Sequence, residues 1–209
     1  MSNFKPIGQI PDSGAVRMLL STKRSVREFL KKPLEKEVIE EIITTACMSS
    51  TDMNSQKNRF IVLLNQDKIK ELEYAIVEGF KMYVKSVLEL NKFDNSPEVI
   101  FSQNIIIQYN NGGSPIFQNA PCVLFICGPK QNIFAPTNAV MTNTYLTIQA
   151  HSMGIGSCFI GRALYNTEYL AKYLEISEDL DIYTAITLGY PKVKYRKIVD
   201  RKPYDVKWI

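Results

Sequence analysis

Histidine is nearly absent from this sequence: among 209 residues there is one, His151. Chemistry that needs two or three imidazoles is therefore excluded, including the common zinc hydrolase sites. A Ser-His-Asp or Cys-His arrangement would have to use His151, which precedes SMGIGSC and lacks a nucleophile-elbow pattern. The four cysteines, Cys47, Cys122, Cys127 and Cys158, form no C-x-x-C pair. Cys122 and Cys127 lie an odd number of positions apart in the apolar run PCVLFIC. On a strand they face opposite sides, so they cannot chelate one ion, and they read as buried small hydrophobes. No apolar run approaches the ~20 residues of a membrane span. The opening MSNFKPIGQIPDSG has no hydrophobic signal core, so a cytoplasmic protein is expected. Repeats and low-complexity tracts are also missing.

Charge of one sign is scarce too. Twenty-five basic residues against 21 acidic ones give a net charge of +4, too mild to indicate a nucleic-acid binder. The basic residues concentrate at 17–36 and 192–207. An anionic ligand fits that pattern better than an anionic polymer, and no nucleic-acid or membrane partner is expected. If the protein is an enzyme, the hard chemistry belongs to a cofactor.

What is present is an ordinary soluble composition, 45% hydrophobic and 22% charged, at a length that suits one domain, 1–209. Helices are expected over 13–22, after Pro33 through Ala46, over 67–90, over about 136–152, and over 166–174 with Asn166 as cap. On the third of these, Ile69, Leu72, Ile76, Phe80, Tyr83, Val84 and Val87 share one side. Apolar runs at 60–65, 121–127 and 182–190 read as strands. The alternation argues for a mixed α/β or α+β sandwich. Residues 91–119 read as a polar, asparagine-rich excursion. The tail from 191 carries seven basic residues and ends near Trp208; an arm across a partner subunit or an ordinary surface strand would account for it.

The stretch TKRSVREF (22–29) concentrates three cations and two hydroxyls. A phosphomonoester brings roughly −1.5 to −2 charge and three acceptor oxygens, and arginine's planar fork suits it. If the stretch is helical, Arg24 with Arg27, and Lys23 with Arg27, share a face. Ser25 adds a neutral donor, and Phe29 is placed to fix the segment against the core. The plain alternative is a solvated cationic helix end.

KRSVREF resembles the opening motif of the nitroreductase-like family of FMN flavoenzymes. Four further stretches match in the family's order: SSTDMNSQKNRFIVL, PIFQNAPCVLFIC, GIGSCFIG and LGYPKVKYR…DRKPYDVKWI. The resemblance covers about residues 13–209, with 66–119 poorly matched. It implies an α+β homodimer with a mixed central sheet flanked by helices, FMN at the subunit interface, and a C-terminal arm (191–209) on the partner. By position, Lys23, Arg24 and Ser25 match phosphate and ribityl contacts. Arg27 matches a cation near the flavin pyrimidine edge, and Arg201 a tail residue reaching the phosphate. Ser50, Thr51, Asn54 and Gln56 match the loop donated by the other subunit. Ile160 and Gly161 match the turn passing the flavin N5, where a side chain at Gly161 would obstruct the approach of a backbone N–H. Two departures stand out: Gln56-Lys57-Asn58 replaces the usual Gln-Pro-Trp, and Asp52 stands where a small hydroxyl residue is common.

The implied activity is a ping-pong transfer of hydride from NAD(P)H through FMN to a nitroaromatic or quinone. Segment 91–119 would be a variable lid, with Phe101, Tyr109 and Phe117 as stacking candidates. Rival readings are a ferredoxin-linked or dehalogenating relative, a flavin-binding redox sensor without catalysis, and a small nucleic-acid-binding module.

Overall fold

The computed structural model describes residues 8, 10–91, 94–165 and 167–209. Helix α1 (Ser13–Thr22) is capped by Asp12, whose carboxylate accepts the N–H groups of Gly14 and Ala15. Helix α2 (Lys36–Ala46) begins three residues beyond Pro33 and buries Ile39, Ile42 and Ala46. Strand β1 (Arg59–Leu63) leads through the Asn65 cap into the long helix α3 (Gln66–Leu90). Helix α4 (Pro97–Asn110), strand β2 (Cys122–Pro129), helix α5 (Ala135–Ser152), strand β3 (Gly156–Phe159), helix α6 (Thr167–Tyr173) and strand β4 (Leu180–Gly189) complete the fold. The expected helix at 166–174 is α6; its proposed cap, Asn166, lies outside the described residues. No helix among the described residues is long and apolar enough to cross a membrane.

The strands pair antiparallel in the order β1-β2-β4-β3. The parallel component is a single bridge between Ser25 and Ser157, which lays the basic stretch along β3. Helices cover both faces and enclose two cores. Along β2, Cys122, Leu124 and Ile126 pack with Ile39, Ile42, Ala139 and Leu146 of α2 and α5. Val123, Phe125 and Cys127 pack with Ile69, Leu72, Ile76, Phe80 and Ile105 of α3 and α4. The odd spacing thus sends Cys122 and Cys127 to opposite faces, as strand alternation requires. Burial pushes both thiols up to about 12, which leaves them poor nucleophiles.

Segment 91–119 holds more structure than its composition suggests. Three consecutive isoleucines, Ile105 to Ile107, obscure the helical period of α4 in the sequence. The helix packs on α3 and buries Val99, Ser102 and Ile105. Phe117 is fully buried in the core and so is unavailable to stack on a substrate, whereas Phe101 is 45% exposed. Glu73 holds the turn that follows α4. This buried carboxylate accepts from the Ser114 hydroxyl at 2.6 Å and from the N–H groups of Ile116 at 2.7 Å and Phe117 at 3.2 Å. Three donors satisfy a charge that would otherwise be costly to bury. The sequence did carry a signal for Glu73, because it interrupts the stripe Ile69, Leu72, Ile76 and Val77.

Candidate cofactor site

Helix α1 stops at Thr22, whose hydroxyl donates back to the Met18 carbonyl at 2.7 Å. Lys23 is already extended (φ −63, ψ 124). The Val26 N–H then donates to the Ser157 carbonyl at 2.9 Å, beside the Ser25–Ser157 bridge. The cluster is therefore an extended edge segment and not a helical turn. Side chains on such a segment alternate. Thr22, Arg24 and Val26 line a cavity of about 320 Å³ with His151, Ser157 and Tyr195. Arg27 lines a different cavity, of about 990 Å³. Arg24 and Arg27, three apart, therefore line different cavities.

Two glycines explain how the segment sits so close to the sheet. A Cβ on Gly156 would lie 2.8 Å from the Cβ of Val26. One on Gly189 would lie 2.6 Å from Pro121 Cδ and 2.8 Å from Phe29 Cδ1. Val26 and Phe29 fill those spaces and form a small core with Ala120. The expectation that Phe29 anchors the stretch therefore holds, and glycines in GIGSC and LGYP make the anchoring possible. The start of the tail straps the segment from outside. The Leu30 N–H donates to the Tyr190 carbonyl and the Lys192 N–H to the Glu28 carbonyl, both at 2.9 Å. The Tyr195 hydroxyl donates to the Ser25 carbonyl at 3.0 Å, and the Arg24 guanidinium lies 4.6 Å from the centre of the Tyr195 ring.

The cluster is electrostatically unsatisfied. Among the described residues the carboxylate–cation pairs join other lysines, and none involves Lys23, Arg24 or Arg27. Lys23 is half-buried, and burial lowers its pKa against a smaller opposing pull from Cys158. A bound anion would reverse that cost. His151 stands beside the cluster, its Nε2 3.0 Å from the Thr22 hydroxyl. Burial, and then the charge of Lys23, lower the His151 pKa. The imidazole tethers α1 to α5.

The second group of expected residues sits at the other end of α5. Thr51 Oγ1 accepts from the Gln56 N–H at 3.1 Å, and the Gln56 amide donates to Asn54 Oδ1 at 3.0 Å. Met53, Asn54 and Gln56 adopt left-handed backbone angles, φ 47, 53 and 50, and Met53 is almost wholly exposed. Asp52, the departure in this motif, holds the loop to the body. Its carboxylate accepts from the Asn138 and Asn132 amides, and its N–H donates to Asn138 Oδ1 at 3.1 Å. These bonds lower its pKa, the one from Asn138 most. Ser50 lies in the same exposed loop. Asn138 and His151 are thirteen residues apart on α5, which is about 20 Å at 1.5 Å per residue. One chain does not bring the loop and the basic cluster together.

Residues 20–190 match the model of the nitroreductase family. The chain belongs to the nitroreductase family. A chain of Archaeoglobus fulgidus named for NADH dehydrogenase or NAD(P)H nitroreductase activity is 22% identical over 184 residues, spanning 83% of this chain and 84% of its own. Among solved structures, a nitroreductase of Bacteroides fragilis with bound FMN superposes with a TM-score of 0.70 at 17% identity, covering 92% of this chain and 98% of that one. A BluB-like flavoprotein of Clostridium difficile gives 0.73 at 17% identity, covering 90% and 94%.

The remaining candidates fall elsewhere in this nitroreductase-family chain. Ile160 is buried, and its N–H donates to the Ala185 carbonyl at 2.8 Å, so that amide is already committed. Gly161 opens the short 3-10 turn Gly161–Leu164 and is exposed. A Cβ there would meet only Phe159 Cε1, at an ordinary 3.6 Å; within one chain nothing forces glycine at this position. Arg201 lies in the exposed tail, which has no regular structure over 196–209. Among the described residues no ion pair or hydrogen bond joins it to the cluster. No group of three or more potential metal ligands occurs among the described residues.

Proposed function

We propose that this chain is an FMN-dependent oxidoreductase acting as a homodimer, taking hydride from NAD(P)H and delivering it to an electron-poor aromatic or quinone in two half-reactions. The observation that carries the reading is the unneutralised cluster on the β3 edge. Lys23, Ser25 and Arg27 offer an ammonium, a hydroxyl and a guanidinium, and among the described residues no carboxylate forms an ion pair with these cations. That donor set fits a phosphorylated flavin. Lys23 and Ser25, with Arg201 from the tail, would hold the phosphate and ribityl oxygens. Arg27 would face the pyrimidine edge, where a guanidinium favours negative charge. Arg24 would act through Tyr195, keeping the strap closed over the Ser25 carbonyl. When bound, FMN supplies the hydride chemistry, so the scarcity of histidine is no obstacle.

The separation along α5 supports the homodimer reading. Ser50, Thr51, Asn54 and Gln56 would complete the site from a second copy, with the amide of Gly161 at its rim. The surface suits such a partner. Helix α1 buries no residue and exposes Val16, Met18 and Leu20, while Met48, Val140 and Met141 are exposed on and near α5. Exposed apolar side chains of this kind suit an interface.

The test is direct. Purified protein is expected to be yellow and to release FMN on denaturation. Anaerobic mixing with NADH or NADPH is expected to bleach it, and menadione or a nitrofuran to restore the colour. Colourless protein that takes up no FMN overturns the reading. A flavin that neither nicotinamide reduces moves it to a ferredoxin-linked protein or a redox sensor.

A further inference from the structure

The cavity of about 990 Å³ beside Arg27 has a composition that the cofactor reading leaves unused. Phe29, Leu34, Leu64 and Pro121 give it an apolar lining. Four cations from three separate stretches line it too: Arg27 and Lys31, Lys70 of α3, and Lys192 of the tail. Glu28 is the one carboxylate lining it among the described residues. Among the described residues Lys31 and Lys192 have no ion-pair partner, and Lys70 has only a loose, exposed contact with Asp67 at 3.7 Å. The volume lies at the upper end of the range for small-molecule sites. A concave apolar surface ringed by one sign of charge concentrates counter-charged ligands. The basic tail of a second copy is the wrong sign to fill it.

We infer that this cavity binds a flat apolar molecule carrying an acid group, an aromatic carboxylate, sulfonate or phosphate, whose ring lies on Phe29, Leu34 and Leu64 and whose anion meets Lys31 and Lys192. Arg27 belongs to both the cavity wall and the cofactor cluster, so the ligand sits next to the reacting centre. It is the electron acceptor, and acid-bearing aromatics are its class. That last step rests on the function proposed above; the binding itself does not.

The experiment is calorimetric titration of the purified protein with 1-naphthoate and with 1-naphthamide, which match in size and differ in charge. Flavin content is read from absorbance in the same samples. The naphthoate is expected to bind about tenfold tighter, at the low end of what a charged cleft achieves. In the Lys31→Gln/Lys192→Gln variant that preference is expected to vanish while flavin content stays unchanged. Equal affinities in the wild type, or a preference that survives the double substitution, overturn the inference. Protein without flavin that still prefers naphthoate through Lys31 and Lys192 supports the cavity and sinks the flavin reading. Flavin-loaded protein without the preference does the reverse.

Discussion

The two ends of α5 carry out the same task by different means. At its C-terminal end, His151 and the neighbouring strand β3 hold a row of cations, fixed by backbone pairing and by apolar residues seated on glycines. At its N-terminal end, Asn138 holds a polar loop in left-handed turns through one carboxylate, Asp52. The first end is rigid because packing leaves its backbone no alternative. The second is held by a few polar bonds near solvent, which salt and acid can weaken. In the proposed dimer, each chain would supply one half of each flavin site.

The comparison is tested most severely by removing the cations. Lys23→Ala combined with Arg27→Ala is expected to lower FMN affinity well over tenfold, because charge-assisted bonds are worth about 1.5–3 kcal/mol each. Arg24→Ala, which lines the other cavity, is expected to cost less. Equal losses would show that the two cavities do not divide the cluster. Flavin fluorescence titration measures both.

Complementation sharpens the claim that the halves come from different chains. A Lys23→Ala/Arg27→Ala chain mixed and refolded with an Asn54→Ala/Gln56→Ala chain is expected to recover flavin at about one quarter of the sites, as random pairing in a twofold dimer dictates. If both halves of each site came from one chain, mixing would recover none.

Glycine substitutions probe the rigid end. Gly189→Ala places a methyl group where Phe29 and Pro121 already stand. Overpacking of this kind costs about 1–3 kcal/mol, and a lower Tm with weaker FMN retention is the expected pair of results. Gly161→Ala is expected to leave Tm unchanged, since space is open there in the single chain.

The smallest effect belongs to the polar end and depends on pH. The folded pKa of Asp52 is depressed. Its contribution is therefore complete above its unfolded value of about 3.9 and is lost as pH falls through the folded value. Asp52→Asn cannot titrate. Melting curves between pH 6 and pH 3 are expected to fall less steeply in that variant than in the wild type. Parallel curves would remove Asp52 from the account of how the loop is held.

Much of this arrangement was legible beforehand. Helical spacing located α2 and α3, and apolar runs located β1, β2 and β4, because burial imposes period and composition directly. Helix α4 was hidden by its run of isoleucines, whereas Glu73 was marked by its place within an apolar stripe. The extended form of KRSVREF was not legible either. Three- and four-residue spacings suit a helix, and only the free edge of β3 makes the strand win.

By itself the sequence determined that an enzyme built on this chain would borrow its chemistry: one histidine leaves little imidazole chemistry, and a basic cluster suits a phosphate. Tertiary structure decided the geometry. It placed Arg24 and Arg27 on different cavities, turned Asp52 from an anomaly into an anchor, and set the basic cluster and the polar loop about 20 Å apart along one helix. The reason is physical. Residue type fixes what a side chain can do. Which partners it meets depends on contacts between segments far apart in the chain, such as Val26 with Gly156 and Asp52 with Asn138.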